Sequence, residues 1–311
     1  MSTRGSISGF VGAVPGAAYG VANMVRAASA DVLAAADPRR MLDGPESTDP
    51  LDLRDPDYIQ RTLPALRAMS DVYFRGEVRG LENIPEDGPV LLVGNHSGGT
   101  LIADTFVFAQ AFYDHFGPDR KFHQLAHDLV FKVPGIRATL QPYGTVPASP
   151  DNMRAALARD AALLVYPGGD HESYRATWHS ADIDFAHRTG FVRLALELDV
   201  PIVPVVAIGG QETALFLGQN QRLAKLLHLH ELMRLDVLPL QVAPPWGVTL
   251  LDLPGRIPLP AKITVEVLPP IDLGAELGSD PDPEKGYELV TSRMQDTLDQ
   301  LADERTLPVI G

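Results

Sequence analysis

The sequence predicts an α/β fold: a mostly parallel central sheet with helices on both faces and a helical extension at the amino terminus. Three observations carry this. Val90–Val93, Ala162–Tyr166 and Pro201–Ile208 are short apolar runs without alternation, the pattern of strands buried on both faces. Between them lie stretches long enough for helices, Leu101–Phe112 and His187–Leu198. The resulting order, strand–helix–strand–helix–strand, implies parallel strands joined by right-handed crossovers.

Taken in order, residues 8–36 are alanine-rich and weakly amphipathic. They read as one or two helices, either packed on the core or lying at an interface. Asp37–Pro56 shifts to Asp, Pro, Gly and Ser and reads as a linker or ordered loop. The division is therefore residues 1–56 as a helical segment with its linker, and 57–311 as a single catalytic domain. Tyr58–Phe74 has helical periodicity with Pro64 inside it, which predicts a kink or restart. Val78–Leu81 is a short strand, and the turn Asn83–Pro89 leads into Val90–Val93. Phe116–Phe131 carries aromatics and histidines without a clear period, Val133-Pro134-Gly135 breaks it, and Asn152–Arg159 is a helix. Gly209-Gly210 ends the third buried strand. Lys262–Leu268 alternates like a late strand, and Glu288–Leu301 is a closing amphipathic helix.

Residues 211–260 are unusual. Leucines from Leu215 to Leu235 form a helix-like stripe with Arg222, Lys225, His228, His230 and Arg234 between them. The run after Val237 is apolar, contains Trp246, and is broken by prolines, so it is not a continuous helix. Two readings stand for this segment: a core helix with its return loop, or a cap that contacts a membrane surface or an acyl chain.

Bulk properties narrow the function. The 311 residues suffice for a proper core, and 45% are apolar. A net charge of −14 argues against nucleic acid as a partner and against gross adhesion to anionic lipid, so membrane docking has to be apolar or locally basic. There is no cysteine, which excludes thiol nucleophiles, disulfides and thiolate metal sites. No stretch reaches the ~20 apolar residues of a membrane span. The amino terminus makes a poor signal peptide, so the chain reads as cytoplasmic and peripheral to the inner face of the membrane.

The chemistry concentrates at two strand ends. The first is Gly94-Asn95-His96-Ser97-Gly98-Gly99, followed by Asp104; the second is Tyr166-Pro167-Gly168-Gly169-Asp170-His171-Glu172. Both lie at the carboxyl edge of the expected sheet, where α/β proteins bind ligands. His171, His179 and His187 do not have a metal-ligand spacing, and no metal is expected.

Asn95-His96 with a downstream Asp resembles the His–Asp motif of the glycerolipid (lysophosphatidate) acyltransferase superfamily. Tyr166-Pro167-Gly168-Gly169 with Glu172 sits where that superfamily has its Phe-Pro-Glu-Gly block. The Gly-Gly-x-x-Glu form, with Gly190-Phe191 and Arg193 behind it, is closer to the diacylglycerol acyltransferase-like branch. Val200–Val205 is similar to the last shared block. The four blocks span roughly residues 72–270.

The resemblance implies transfer of a fatty acyl group from a thioester, acyl-CoA or acyl carrier protein, to a hydroxyl of a glycerolipid, lysophospholipid or related lipid alcohol. It implies no cofactor beyond that co-substrate. His96 is then the general base and Asp104 the carboxylate that orients it. Asn95, Ser97, Gly98, Gly99, Gly168, Gly169, Glu172, Arg175 and Arg188 are the candidate substrate-binding residues. The spacing departs from the superfamily: His96 and Asp104 lie three residues further apart than the shorter motif, close to one helical turn. If Ser97-Gly98-Gly99 loops out before the helix begins, Asp104 lands where the shorter motif puts its carboxylate. Two rivals remain: a lipid esterase using Ser97 or activated water, although no Gly-x-Ser-x-Gly elbow surrounds Ser97, and a non-catalytic lipid-binding protein on the same scaffold.

Overall fold

A computed structural model describes residues 49–311 apart from 133, 230, 232–235, 253–255, 279–280 and 308. The helices expected within 8–36 lie outside the described residues. Residues 49–56, expected as the end of a linker, are folded onto the domain. Asp49 caps a short turn at Pro50–Leu53, Leu51 is buried, and Arg159 bonds both Asp49 and Asp52.

The elements follow in chain order. Helix α1 (Pro56–Arg67) is capped by Asp55 and runs through Pro64, then widens into a π-type turn at Ala68–Tyr73. Next come β1 (Glu77–Arg79), β2 (Val90–Gly94), α2 (Ala103–Phe116) and β3 (Phe122–Ala126). Two short helices, α3 (Asp128–Lys132) and α4 (Pro134–Leu140), lead to β4 (Thr145–Pro147), α5 (Pro150–Leu157) and β5 (Ala162–Val165). Helices α6 (Gly169–Ser173) and α7 (Gly190–Leu198) precede β6 (Ile202–Ile208). Strand β7 (Leu215–Asn220), helix α8 (Gln221–Leu226), β8 (Leu238–Ala243) and β9 (Gly247–Thr249) form an outlying unit. The chain closes with β10 (Thr264–Val267), α9 (Leu273–Leu277) and α10 (Pro283–Asp303).

The main sheet has seven strands in the order β1-β10-β6-β2-β5-β3-β4. Strands β6, β2, β5, β3 and β4 are mutually parallel, and β10 joins antiparallel to β6 with β1 parallel to it. The fold is thus the mostly parallel α/β architecture expected. Two of its strands escaped the sequence reading. In β3 the inward residues include His123 and Gln124, which break an apolar pattern but find partners across the sheet. His123 Nδ1 lies 3.0 Å from the Gly144 carbonyl and Gln124 Nε2 donates to Thr145 Oγ1 at 2.8 Å.

The pleat divides the apolar runs between two cores. Val90, Leu92, Leu164, Val203 and Val205 face α1 and α2, with Phe108, Phe112 and Phe122 packed beside them. Leu91, Val93, Leu163, Val165, Ile202 and Val206 face α7 and α10. Burial on both faces is why these strands read as unbroken apolar runs rather than alternating ones.

Residues 211–260 depart from the expected helical stripe. Leu215–Asn220 is a strand, Gln221–Leu226 is a helix with Leu229 and Glu231 helical beyond it, and the proline-broken run becomes the β8–β9 hairpin of a three-stranded antiparallel sheet, order β7-β8-β9. Gly218 and the β-branched residues of the later run favour pairing over helix, and the pairing partner is too distant in sequence for periodicity to reveal.

One lock holds the parting strands together. Beyond the Gly94–Val205 pair, the Asn95 amide continues the β2–β6 ladder with its side chain: Nδ2 donates to the Ala207 carbonyl at 2.8 Å and Oδ1 accepts from Ala207 N–H at 2.7 Å. Asn95→Ala orphans both backbone groups in a fully buried position. It is expected to destabilise by about 2–5 kcal/mol, read as a lowered urea midpoint; an unchanged midpoint contradicts this role.

Candidate active site

Parallel β2, β5 and β6 bring three loops to one edge of the sheet. The loop after β2 carries Asn95 to Ile102, the loop after β5 carries Tyr166 to Arg175, and the loop after β6 carries Gly209 to Ala214. His96 is half-buried where they meet, with its ring stacked on Tyr166 at 4.7 Å between centroids. The Tyr166 hydroxyl is hydrogen-bonded to Thr105 Oγ1, on the residue after Asp104.

Glu172 holds the main chain of His96. It is wholly buried; Oε2 accepts from His96 N–H at 2.7 Å, and Oε1 accepts from Asp184 N–H at 3.3 Å and faces Arg175 Nη1 at 3.2 Å. Arg175, also buried, donates onward to the carbonyls of His96 at 3.2 Å and Ser180 at 3.1 Å. A carboxylate so enclosed shapes the catalytic loop rather than meeting a substrate. Burial pushes its carboxyl up to about 7, against the opposing pull of Arg175.

Asp104 stands in the first turn of α2, because Gly98 and Gly99 adopt φ of +81° and +66° and carry the chain out before the helix begins. The loop therefore bulges, as the extra residues suggested. The carboxylate, however, accepts from Ser97 Oγ at 2.7 Å and from Thr105 N–H at 2.8 Å, and makes no hydrogen bond to the imidazole. His96 Nδ1 is buried without a protein partner. Ser97, and not His96, thus bonds the Asp104 carboxylate. Gly210 makes room for this contact, since a Cβ there would lie 2.2 Å from Ser97 Oγ.

Electrostatics separate the two groups. Burial, and behind it the Arg175 guanidinium, push the His96 imidazole down to about 4, so it is neutral near pH 7. Burial pushes the Asp104 carboxyl up to about 6, against the hydrogen bond from Ser97.

The remaining candidates are mostly framework. The N–H of Gly98 donates to Gln211 Oε1 at 2.9 Å, and that of Gly99 to the Ser173 carbonyl at 3.0 Å. Gly169 N–H closes a turn on the Tyr166 carbonyl at 3.1 Å. Arg188 Nη1 donates to the carbonyls of Pro167 at 3.0 Å and Gly168 at 2.9 Å, holding the loop in shape. Arg193 lies apart, with Nε donating to Thr189 Oγ1 at 3.3 Å.

Four residues that sequence reasoning missed complete the frame. Asp252 Oδ2 accepts from Thr100 N–H at 2.7 Å, while its Oδ1 accepts from Arg256 Nε at 2.8 Å and Gln241 Nε2 at 3.0 Å. Arg256 Nη2 bonds the Gly98 carbonyl, and Gln211 Nε2 the Arg175 carbonyl. A buried Asp252–Arg256 pair four residues apart was the available signal, masked by a proline-rich setting that reads as a loop.

An imidazole at the carboxyl end of a central parallel strand, a buried carboxylate in the first turn of the following helix, and a second buried carboxylate on the His96 N–H fit a transferase of the acyltransferase class. The chain matches the Acyltransferase family over residues 75–208, which contain His96, Asp104, Gly168, Glu172, Arg175 and Arg188. An uncharacterized protein of Mycobacterium tuberculosis is 31% identical over 264 residues, 84% of this chain and 70% of that one. The human DGAT1/2-independent enzyme synthesizing storage lipids is 31% identical over 134 residues, 43% of this chain and 40% of its own. The crystal structure of the 1-acyl-sn-glycerophosphate (LPA) acyltransferase PlsC from Thermotoga maritima superposes with a TM-score of 0.50 at 16% identity, covering 81% of this chain and 84% of that one. This protein belongs to the Acyltransferase family and is an acyltransferase.

Two outcomes follow from the buried carboxylates. The Asp104 carboxyl is raised in the folded state, so its contribution to stability is full below about pH 4 and is lost as pH rises through about 6. Asp104→Asn keeps an acceptor for Ser97 without that loss. Relative to wild type it is expected to gain about 1.5 kcal/mol between pH 5 and pH 8, checked by urea unfolding at both values; a constant difference contradicts the assignment. Glu172→Ala leaves Arg175 buried and unpaired and is expected to destabilise by about 3–5 kcal/mol, seen in the same titration.

Proposed function

We propose that this protein transfers a fatty acyl group from a thioester, acyl-CoA or acyl carrier protein, to a hydroxyl of a glycerolipid, lysophospholipid or related lipid alcohol, working at a membrane face. The observation that carries the reading is the neutral, positioned imidazole of His96. The names of the human relative and of the structural match, one a storage-lipid enzyme and the other a glycerophosphate acyltransferase, support a lipid acceptor. Among the described residues no helix is long and apolar enough to cross a membrane.

In this mechanism Nδ1 faces the interior and Nε2 takes the proton of the acceptor hydroxyl. The hydroxyl oxygen attacks the thioester carbonyl, the new C–O bond forms, and charge collects on the carbonyl oxygen. Collapse breaks the C–S bond, and the proton held by the imidazolium passes to the departing thiolate. Asp104, ionised above about pH 6, is bonded to Ser97 and adds negative charge to the site without contacting the ring. Tyr166 keeps the ring in plane for both proton transfers. Ser97 donates its own proton to Asp104 and is buried, which argues against a serine nucleophile and hence against the esterase reading.

The test is acyl transfer from radiolabelled long-chain acyl-CoA or acyl carrier protein into a panel of lysolipids, diacylglycerol and fatty alcohols. His96→Ala is expected to lower ester formation by roughly 10²–10⁴-fold. Free fatty acid in place of ester, or intact donor with every acceptor, overturns the proposal.

A further inference from the structure

The three-stranded sheet lies beyond the residues that match the family, and its two faces differ in kind. Along β8, Pro239, Gln241 and Ala243 are buried and turn toward the site, where Phe216 and Tyr174 pack with Ala243. Leu238, Leu240 and Val242 alternate with them and turn outward. The register places Leu215, Val242 and Val248 side by side on that outward face. Helix α8 covers only the Leu238 end, through Ala224. The rest is open: Leu215 is 43% and Val248 69% exposed, with Trp246 (51%) at the hairpin tip and Leu250 (57%) just beyond β9.

We propose that this outward face is the surface on which the protein seats on an anionic lipid bilayer, an inference that rests on the lipid-acceptor reading above. Charge selects the occupant. The chain carries −14 overall, yet residues 213–251 hold three Arg or Lys against two Asp or Glu. Arg222 and Lys225 on α8 are exposed and carry no ion pair among the described residues, and exposed Leu226 and Leu227 follow them. A row of aliphatic side chains, a Trp at a hairpin tip and bordering cations is the composition that settles at a headgroup boundary. A second copy of the chain brings the same net negative charge to the contact and is disfavoured at long range.

The placement gives docking a purpose. The inward face of the same sheet sets Phe216 beside Gly99, and the segment after β9, tied to β8 through Gln241, sets Asp252 on Thr100 and Arg256 on the Gly98 carbonyl. A bilayer on the outward face therefore lies about one sheet thickness, ~10 Å, from the loop that follows His96. A lipid acceptor reaches the imidazole from the membrane without crossing bulk water.

The test is flotation of the full chain with phosphatidylcholine vesicles, with and without phosphatidylglycerol. It reads docking without turnover, so an inactive enzyme leaves the result intact. Wild type is expected to float, more strongly with phosphatidylglycerol. The combination Trp246→Ser, Val248→Ser and Leu250→Ser is expected to bind at least tenfold more weakly with an unchanged thermal midpoint. The single Trp246→Ser serves if the triple variant does not fold. Arg222→Gln with Lys225→Gln is expected to lose the preference for anionic vesicles. Wild type that does not float, a folded Trp246→Ser or triple variant that floats as wild type does, or a dimer in sedimentation that the triple variant dissolves without any vesicle binding overturns the proposal.

Discussion

The site depends on one buried carboxylate. Parallel strands β2 and β5 end side by side, and beyond their last rung nothing in the backbone ladder keeps the two loops in register. Glu172 supplies the missing bond from the β5 loop to His96 N–H in the β2 loop. Arg175 repeats the link in the opposite sense, from the same loop to the His96 carbonyl. The imidazole is therefore presented by a backbone held on both sides of one residue. Such an ion pair has little net effect on stability when intact, and its loss leaves a charge stranded in the interior. Its service is geometric.

A second layer of polar contacts fixes the chain beyond His96. Gly98, Gly99 and Thr100 are each tied to groups that arrive from elsewhere: Gln211, the Ser173 carbonyl, Asp252 and Arg256. The segment following β6 thus acts as the lid of the β2 loop. Gly98, Gly99, Glu172 and Arg175, which looked like substrate contacts, are bonded within the fold, which leaves the half-buried His96 as the candidate reactive group at the strand end. The left-handed turns at Gly98 and Gly99 then have a clear reason, since they let three extra residues pass between His96 and a helix whose first turn still delivers a carboxylate to the site.

Asp104 bonds Ser97 and not His96, which changes the electrostatic logic familiar from base–carboxylate pairs. A direct hydrogen bond raises the imidazole pKa, whereas here burial and Arg175 lower it. The imidazole is therefore neutral near pH 7. The carboxylate bonds Ser97 and Thr105 and does not fix the ring's tautomer.

Much of this was legible in the chain alone. Apolar runs bounded by glycine and proline specified the buried strands, because a strand covered on both faces has no polar register to hide it. The positions of His96, Asp104 and Glu172 at strand ends and a helix start followed from those runs. What periodicity could not reach were β3 and β4, where His123 is accommodated by the Gly144 carbonyl and Gln124 by the Thr145 hydroxyl of the neighbouring strand. Nor could it reach the β7–β9 sheet: β7 fell within the leucine stripe read as helical, and the run that forms β8 and β9 was read only as apolar and proline-broken, because spacing is ambiguous without the partner strand. The sequence by itself determined the α/β architecture and singled out His96 as the candidate base, since burial pattern and residue chemistry are local properties. Only the tertiary structure decided that Glu172 grips the backbone, that Ser97 intercepts Asp104, and that an apolar face opens outward over the site. The first and last depend on groups far apart in sequence meeting within hydrogen-bonding or packing distance, and the Ser97–Asp104 contact on the left-handed turns at Gly98 and Gly99 between them; no local periodicity encodes either.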